Sequence, residues 1–311
     1  MISSTILITG GAGNIGSALA VKLAQNTNNT VVIIDNLTTG SIEKIPQLDN
    51  VTFIKANVND YEDIMPIFGR YNFDYVFHYA AVVGVARTLE NPISVLGDIE
   101  GIKNILSLSK NTGVKRVFYS SSSEVYGEPF EIPQNEQTTP LNSRLPYAIV
   151  KNVGEAFFRS FYDEYGLEYT IFRFFNTYGP NQSDDFVVPR FLRAAMANQP
   201  IYVYGNGSQT RSFCYVDDNV DTCIKAMYSE AHINEVLNIG SDIEMTILEL
   251  ANSVITLVNS KSEIVHLPAL KEGDMTRRCP DNTKMKTLLG RDLVPLEVGL
   301  KHLIDFYENR N

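Results

Sequence analysis

The chain has 311 residues, 44% hydrophobic and 20% charged, with 26 Lys+Arg against 36 Asp+Glu and a formal net charge of −10. That apolar content supplies a core without disulfide or metal staples, and the acidic balance disfavours nucleic acid as a partner. The three cysteines and four histidines show no metal-ligand spacing, no apolar run approaches the ~20 residues of a membrane helix, and the start shows no signal-peptide pattern, so a reduced, cytoplasmic protein without metal or membrane contact is expected.

In chain order, Ile6-Leu7-Ile8-Thr9 predicts a first strand, followed by glycines and a helical pattern from Ile15 to Ala24. Val31–Asp35, Val51–Ile54, Tyr75–His78, Val117–Ser120 and Tyr169–Arg173 predict further strands, short and apolar on both faces. Stretches with helical periodicity separate most of them. This alternation predicts an α/β fold, a Rossmann-type doubly wound parallel sheet. Past Thr177, Gly, Pro, Asn and Asp cluster at Tyr178–Asn181 and Tyr204–Gly207, and the elements become short and mixed. The expected division is a dinucleotide-binding domain at 1–177 and a smaller mixed α/β substrate lobe at 178–311, with about 214–240 returning to the first domain.

Gly10-x-x-Gly13-x-x-Gly16 follows the first strand and opens a helix, and Asp35 ends the second strand 19 residues after Gly16. Glycines there permit a tight turn beneath a pyrophosphate, whose charge meets a helix N-terminus. A carboxylate at Asp35 accepts from ribose hydroxyls and repels a 2′-phosphate; Asn36 and residues 38–40 carry no basic group, so NAD is expected over NADP. A glycine turn with a solvated Asp is the weaker alternative. Pro146 suits a helix start, and Tyr147 and Lys151 follow at i and i+4 on one face. A phenol with pKa near 10 acts as a base at neutral pH only if its anion is stabilised, and the Lys151 ammonium with a cationic nicotinamide is the expected source. The spacing alone also fits a surface pair. Ser120–Ser123 lies at the carboxyl end of the fifth strand, where such sheets place ligands, although a serine run also suits a plain loop.

These motifs together resemble the extended short-chain dehydrogenase/reductases of the nucleotide-sugar epimerase/dehydratase type, over nearly the whole chain. The resemblance implies Gly10, Gly13, Asn14, Ile15, Gly16, Asp35, Asn36, Asn57, Val58, Tyr79, Ala80 and Ala81 as NAD-binding, with Asn57 standing where the family has Asp. It implies Tyr147, Lys151 and Ser122 as catalytic. Phe172–Pro180, Gly205–Arg211 and Tyr215–Asp218 match its later signatures. Asp98 stands where many relatives carry an Asn that supports the active site.

The implied chemistry is NAD-dependent oxidation of a nucleotide-diphosphate sugar at C4, for cell-surface polysaccharide sugars. The fates of the 4-keto sugar rank as 4-epimerisation or 4,6-dehydration first, release by a GDP- or UDP-sugar 4-dehydrogenase next, and decarboxylation last. A non-catalytic NAD-binding regulator is the alternative of another class. Glu124 sits two residues after Ser122, as in the dehydratases and the UDP-xylose-forming decarboxylases, and could work at C5, unless it is a structural carboxylate. Ser123 stands where glucose-type dehydratases place an Asp. Against the charge of −10, the diphosphate needs local cations: Arg211 and one of Arg277 and Arg278, within 273–278. Val83, Gly84, Val85, Arg87, Ser123, Asn176 and Val188 are expected to face the substrate. Relatives commonly dimerise through a four-helix bundle, here formed by the stretches near Pro92–Thr112 and Pro146–Tyr165, so a homodimer is expected.

Overall fold

The computed structural model describes residues 3–269 and 275–309, with the side chains of Val85 and Ala86 left out. The elements run β1 (Thr5–Thr9), α1 (Asn14–Ala24), β2 (Thr30–Asp35), β3 (Val51–Lys55), α2 (Tyr61–Arg70), β4 (Tyr75–His78), α3 (Val85–Glu90), α4 (Pro92–Leu96), α5 (Asp98–Thr112) and β5 (Arg116–Ser122). A short 3-10 turn, Ser123–Tyr126, follows β5. Then come α6 (Pro146–Tyr165), β6 (Glu168–Phe174), β7 (Thr177–Tyr178), α7 (Val187–Met196), β8 (Ile201–Tyr204), β9 (Thr210–Ser212), β10 (Cys214–Tyr215) and α8 (Val216–Tyr228). The remainder is β11 (Glu235–Ile239), β12 (Glu244–Thr246), α9 (Ile247–Leu257), β13 (Ile264–Leu267), α10 (Thr283–Leu289) and α11 (Leu296–Glu308).

Seven strands form one parallel sheet in the order β11-β6-β5-β4-β1-β2-β3. Order reverses between β1 and β4, so loops at their carboxyl ends splay apart and leave a crevice. Alternation along β1 shows why both faces are apolar. Ile6 and Ile8 enter one core, under α1 and α8; Leu7 enters the other, under α2, α5 and α6. Val31 and Ile33 repeat the first choice, Val32 and Ile34 the second. Across β4, β5 and β6, Phe118 stacks on its register partner Phe77 and on Phe172, two positions along from its partner Thr170, with centroids 4.3 and 6.0 Å apart.

Later in the chain, α8 packs on α1, and β11 lies at the sheet edge beside β6. The other strands form three two-stranded ladders among the described residues, β7–β10, β9–β12 and β8–β13. No helix among the described residues is long and apolar enough to cross a membrane. Cys214, Cys223 and Cys279 are buried free thiols.

Candidate active site

A cavity of about 510 Å³ opens at the crevice, lined from both lobes. At its cofactor end the chain leaves β1 through Gly10, whose φ of 69° and close approach to β4 leave no room for a side chain. A Cβ there would lie 2.6 Å from the Ala80 amide nitrogen. A Cβ at Gly16 would strike the Gly10 carbonyl. Gly13 starts α1 without a side-chain cap, so first-turn amides remain available to an anion. Gly10, Gly13, Asn14, Ile15 and Gly16 all line the cavity, and the buried Asn14 Oδ1 has no partner among the described residues.

Asp35 ends β2 and is buried. Its Oδ2 accepts from the Ala12 amide at 3.0 Å and its Oδ1 from the Leu37 amide at 2.8 Å, which fixes the carboxylate at the ribose end. Asn36 lines the cavity beside it, and so does Lys44, a basic residue that lies nine positions past Asp35 in the chain and that the fold brings back to this end. Asn57 and Val58 line the same end, but Asn57 Oδ1 accepts from the Asn59 amide at 3.2 Å and so turns onto its own loop. Tyr79, Ala80 and Ala81 line the middle; the Tyr79 hydroxyl donates to Cys223 Sγ at 3.2 Å, away from the reacting end. Glycine cradle, orphaned amide oxygen and fixed carboxylate fit a dinucleotide.

At the reacting end β5 delivers Ser122, the 3-10 turn after it Ser123 and Glu124, and α6 Tyr147 and Lys151. Pro146 occupies the first turn of α6, which sets the helix start one residue before Tyr147. The Ser122 hydroxyl accepts from the Glu124 amide at 3.2 Å. Lys151 is 3% exposed, and its ammonium donates to Ser120 Oγ at 3.4 Å and stands 5.6 Å from the Tyr147 ring centre.

Burial raises the Tyr147 phenol well above the ordinary tyrosine value, with Glu124 adding to the rise, while Ser122 and Arg278 oppose it. Burial brings the Lys151 ammonium itself down to about 8, with Asp98 acting against the fall. Without cofactor charge, the fold therefore holds Tyr147 as a neutral phenol.

Behind this end lies a buried ion pair. Arg173 on β6 grips Glu155 on α6 with Nε at 2.8 Å and Nη2 at 2.7 Å. Glu155 also accepts from Ser121 Oγ at 2.7 Å, and Arg173 Nη1 donates to the Tyr126 hydroxyl at 2.8 Å. The pair thus ties the helix of Tyr147 to both ends of the turn that carries Ser122 and Glu124.

The substrate-facing expectations divide. Val83, Gly84, Arg87, Ser123, Asn176, Val188 and Arg278 line the cavity. Arg87 donates to Asp185 at 3.2 Å and to the Val83 carbonyl at 2.8 Å, so it is already engaged across the mouth. Asn176 donates to the Ser212 carbonyl at 3.0 Å. Arg278 Nη1 lies 3.5 Å from Glu124 Oε1. Of the arginine pair, Arg277 is exposed, forks onto Glu244 at 2.5 and 3.2 Å, and lies outside the lining. Arg211 is buried on β9, donates to its neighbour's carbonyl at 2.7 Å and lies outside this cavity's lining. The side chain of Val85, and Gly273 and Asp274 of the arginine motif, lie outside the described residues. Asp98, flagged in the sequence only as a departure, belongs to the lining.

A family model, "NAD dependent epimerase/dehydratase family", matches residues 6–240. The chain is 37% identical to the UDP-N-acetyl-alpha-D-glucosaminuronate decarboxylase of Bacillus cytotoxicus, over 97% of each chain. It is 36% identical to UDP-glucuronic acid decarboxylase 1 of Danio rerio, over 97% of this chain and 72% of that one. The crystal structure of UDP-glucose 4-epimerase from Thermotoga maritima with UDP-glucose superposes with a TM-score of 0.92 at 33% identity, over 98% of this chain and 99% of that chain. The chain belongs to the NAD-dependent epimerase/dehydratase family, the extended short-chain dehydrogenase/reductases. It is an NAD-dependent enzyme that modifies a nucleotide-sugar.

Proposed function

We propose that this enzyme oxidises a UDP-linked hexuronic acid at C4 and removes its C6 carboxylate. The observation that carries this reading is the Glu124–Arg278 pair, set in the same cavity as Tyr147 and Ser122. A C6 carboxylate lies close to C4 on the sugar, so a cation just beyond Tyr147 and Ser122 is placed to receive it. The first two relatives above act on such sugars by name.

In the proposed reaction NAD, when bound, accepts the C4 hydride and returns it at the end. Tyr147 takes the proton from the C4 hydroxyl, and Ser122 holds the same oxygen. The C4 ketone is β to the C6 carboxylate, so the C5–C6 bond breaks, CO2 leaves, and its electron pair delocalises onto the C4 oxygen. Tyr147, now a phenol, and Ser122 donate hydrogen bonds to that developing oxyanion. Glu124, at the C5 side, governs the proton delivered to C5, after which the ketone is reduced.

A second reading, 4-epimerisation, has the Thermotoga fold match and a simpler demand on the site, a ketone that turns over with no bond to carbon broken. Dehydration has less support, because Ser123 offers no acid. Incubation with UDP-glucuronic acid, UDP-N-acetylglucosaminuronic acid and UDP-glucose, read by product mass, separates the fates. Loss of CO2 supports the proposal; unchanged mass with a new sugar epimer supports the second reading; loss of water alone or turnover of UDP-glucose only overturns the proposal.

We also propose a homodimer through α4 and α6. Ile93, 79% exposed, stands with Leu96 and Ile149 on their outer surface, an apolar patch a four-helix contact would cover.

A further inference from the structure

Glu124 and Arg278 meet at 3.5 Å although they belong to distant parts of the chain. Two side chains keep such a separation only as well as the backbones beneath them are held to one another. A line of buried hydrogen bonds does that here.

The line starts at Arg173 on β6. Its guanidinium is gripped by Glu155, and its Nη1 donates to the Tyr126 hydroxyl at 2.8 Å. An arginine only donates, so the proton of that hydroxyl is left for a further acceptor. The acceptor is Asn238 Oδ1, at 2.7 Å. Asn238 is fully buried on β11, opposite Arg173 in the ladder. With its oxygen committed, the amide turns its Nδ2 the other way. Nδ2 donates to the Gln134 carbonyl at 2.8 Å and to the Asp281 carbonyl at 3.3 Å.

The two ends of this one amide serve the two partners of the ion pair. Tyr126 closes the 3-10 turn that carries Glu124. Gln134, also fully buried, is bridged in parallel to Pro280, two residues past Arg278. Its amide donates to the Cys279 carbonyl, and the Asp281 amide donates back to its carbonyl, both at 2.8 Å. Arg278 Nε donates to Met275 Sδ at 3.2 Å, a weak acceptor from its own segment, so the backbone of that segment sets where the guanidinium stands. A second tie between the same two segments, from the Thr276 hydroxyl to Glu128 at 3.0 Å, is exposed and competes with water.

We propose that Asn238 is a positioning residue, the buried amide that sets the separation of Glu124 and Arg278 by holding the turn of one and the segment of the other in a single frame. It lies outside the cavity lining and acts through those two segments. The inference rests on the proposed function only for what Arg278 receives, not for how Arg278 is placed.

The test reads that placement on the whole protein with no sugar present. Phenylglyoxal modifies arginines according to their exposure, and peptide mass spectrometry follows Arg278 against two references, its exposed neighbour Arg277 and the buried Arg116 at the start of β5. Asn238→Ala is expected to speed modification of Arg278 about fivefold, the local opening that loss of a buried hydrogen bond allows, with Arg277 and Arg116 unchanged. Tyr126→Phe removes one hydroxyl and keeps the ring; it should move Arg278 the same way, and it carries the test if Asn238→Ala does not fold. An unmoved Arg278 in the folded variants overturns the proposal. So does an equal rise at Arg116, which would trace the effect to opening of the whole fold. In turnover of the UDP-hexuronate, Asn238→Ala should raise KM about fivefold in the parent and leave it unchanged in an Arg278→Ala background, a coupling that a merely structural residue would not show. Equal effects in both backgrounds also overturn the proposal. Absence of UDP-hexuronate turnover in the parent would count against the proposed function and leave the labelling result standing, which separates the two.

Discussion

Arg278 Nη1 stands 3.5 Å from Glu124 Oε1, although the two residues come from opposite ends of the fold and opposite lobes of the cavity. Each offsets the other's buried charge, and under the proposed function the guanidinium is the group that receives the substrate carboxylate. The contact is the one place in the described site where the second lobe puts a cation beside the Tyr147–Ser122 pair.

Arg278→Ala should therefore raise KM for the UDP-hexuronate and cut kcat/KM by about 10- to 100-fold, the weight of one hydrogen bond to a charged group. Arg277→Ala, whose partner Glu244 lies outside the cavity, should stay close to the parent. Steady-state kinetics on both variants check this; equal losses would mean that the pair of arginines acts only on overall charge.

Tyr147→Phe removes the proton acceptor while the shape of the site remains. Turnover should fall by at least about 10²-fold, with NAD affinity little changed. Product formation by mass and cofactor binding by fluorescence separate the two effects.

His78 supplies a pH prediction for stability. It is 1% exposed, with Nδ1 2.9 Å from Thr9 Oγ1, and burial first, then Lys151, hold its pKa down to about 3 against 6.5 for an ordinary histidine. The unfolded chain therefore binds a proton that the fold excludes, so stability is full above about pH 6.5 and falls as pH drops towards 3. Near pH 5 the loss attributable to this one group is about 2 kcal/mol. Urea unfolding at about pH 7 and pH 5 should show a smaller pH difference in His78→Asn than in the parent.

Glu155→Gln leaves Arg173 buried without its counter-charge, which costs about 3–5 kcal/mol. The urea midpoint should fall accordingly. Loss of Glu155 also loosens Ser121, next to Ser122, so activity of the folded fraction should drop as well.

Ile93→Glu places a charge in the exposed patch shared by α4 and α6. If the proposed dimer forms there, light scattering should show monomer for this variant and dimer for the parent.

Much of the scaffold was legible along the chain. Six of the seven sheet strands stand out as runs apolar on both faces, because a strand between two helical layers has no solvent side. The seventh, β11, escaped notice: Glu235-Val236-Leu237-Asn238-Ile239 carries a polar residue within the run, and Asn238 is buried only because Tyr126, Gln134 and Glu136 satisfy it from distant parts of the chain. The glycine turn and Asp35 were legible for a similar reason, since a tight turn and a strand-end carboxylate are local features.

The site's ionisation and its choice of cations were not. Arg277 and Arg278 are adjacent and chemically alike; Glu244 draws one outward, and Met275 and Glu124 hold the other within. Tyr147 and Lys151 are spaced as a catalytic pair in any helix, but whether the phenol is raised or lowered depends on burial beneath β5 and on Glu124, Ser122 and Arg278. By itself, then, the sequence determined the parallel sheet, the dinucleotide turn and the catalytic helix, because periodicity, glycine and proline act within a few residues. Only the tertiary structure decided which charges face one another in the cavity, because Coulomb and desolvation energies depend on distance and burial, which chain order does not encode locally.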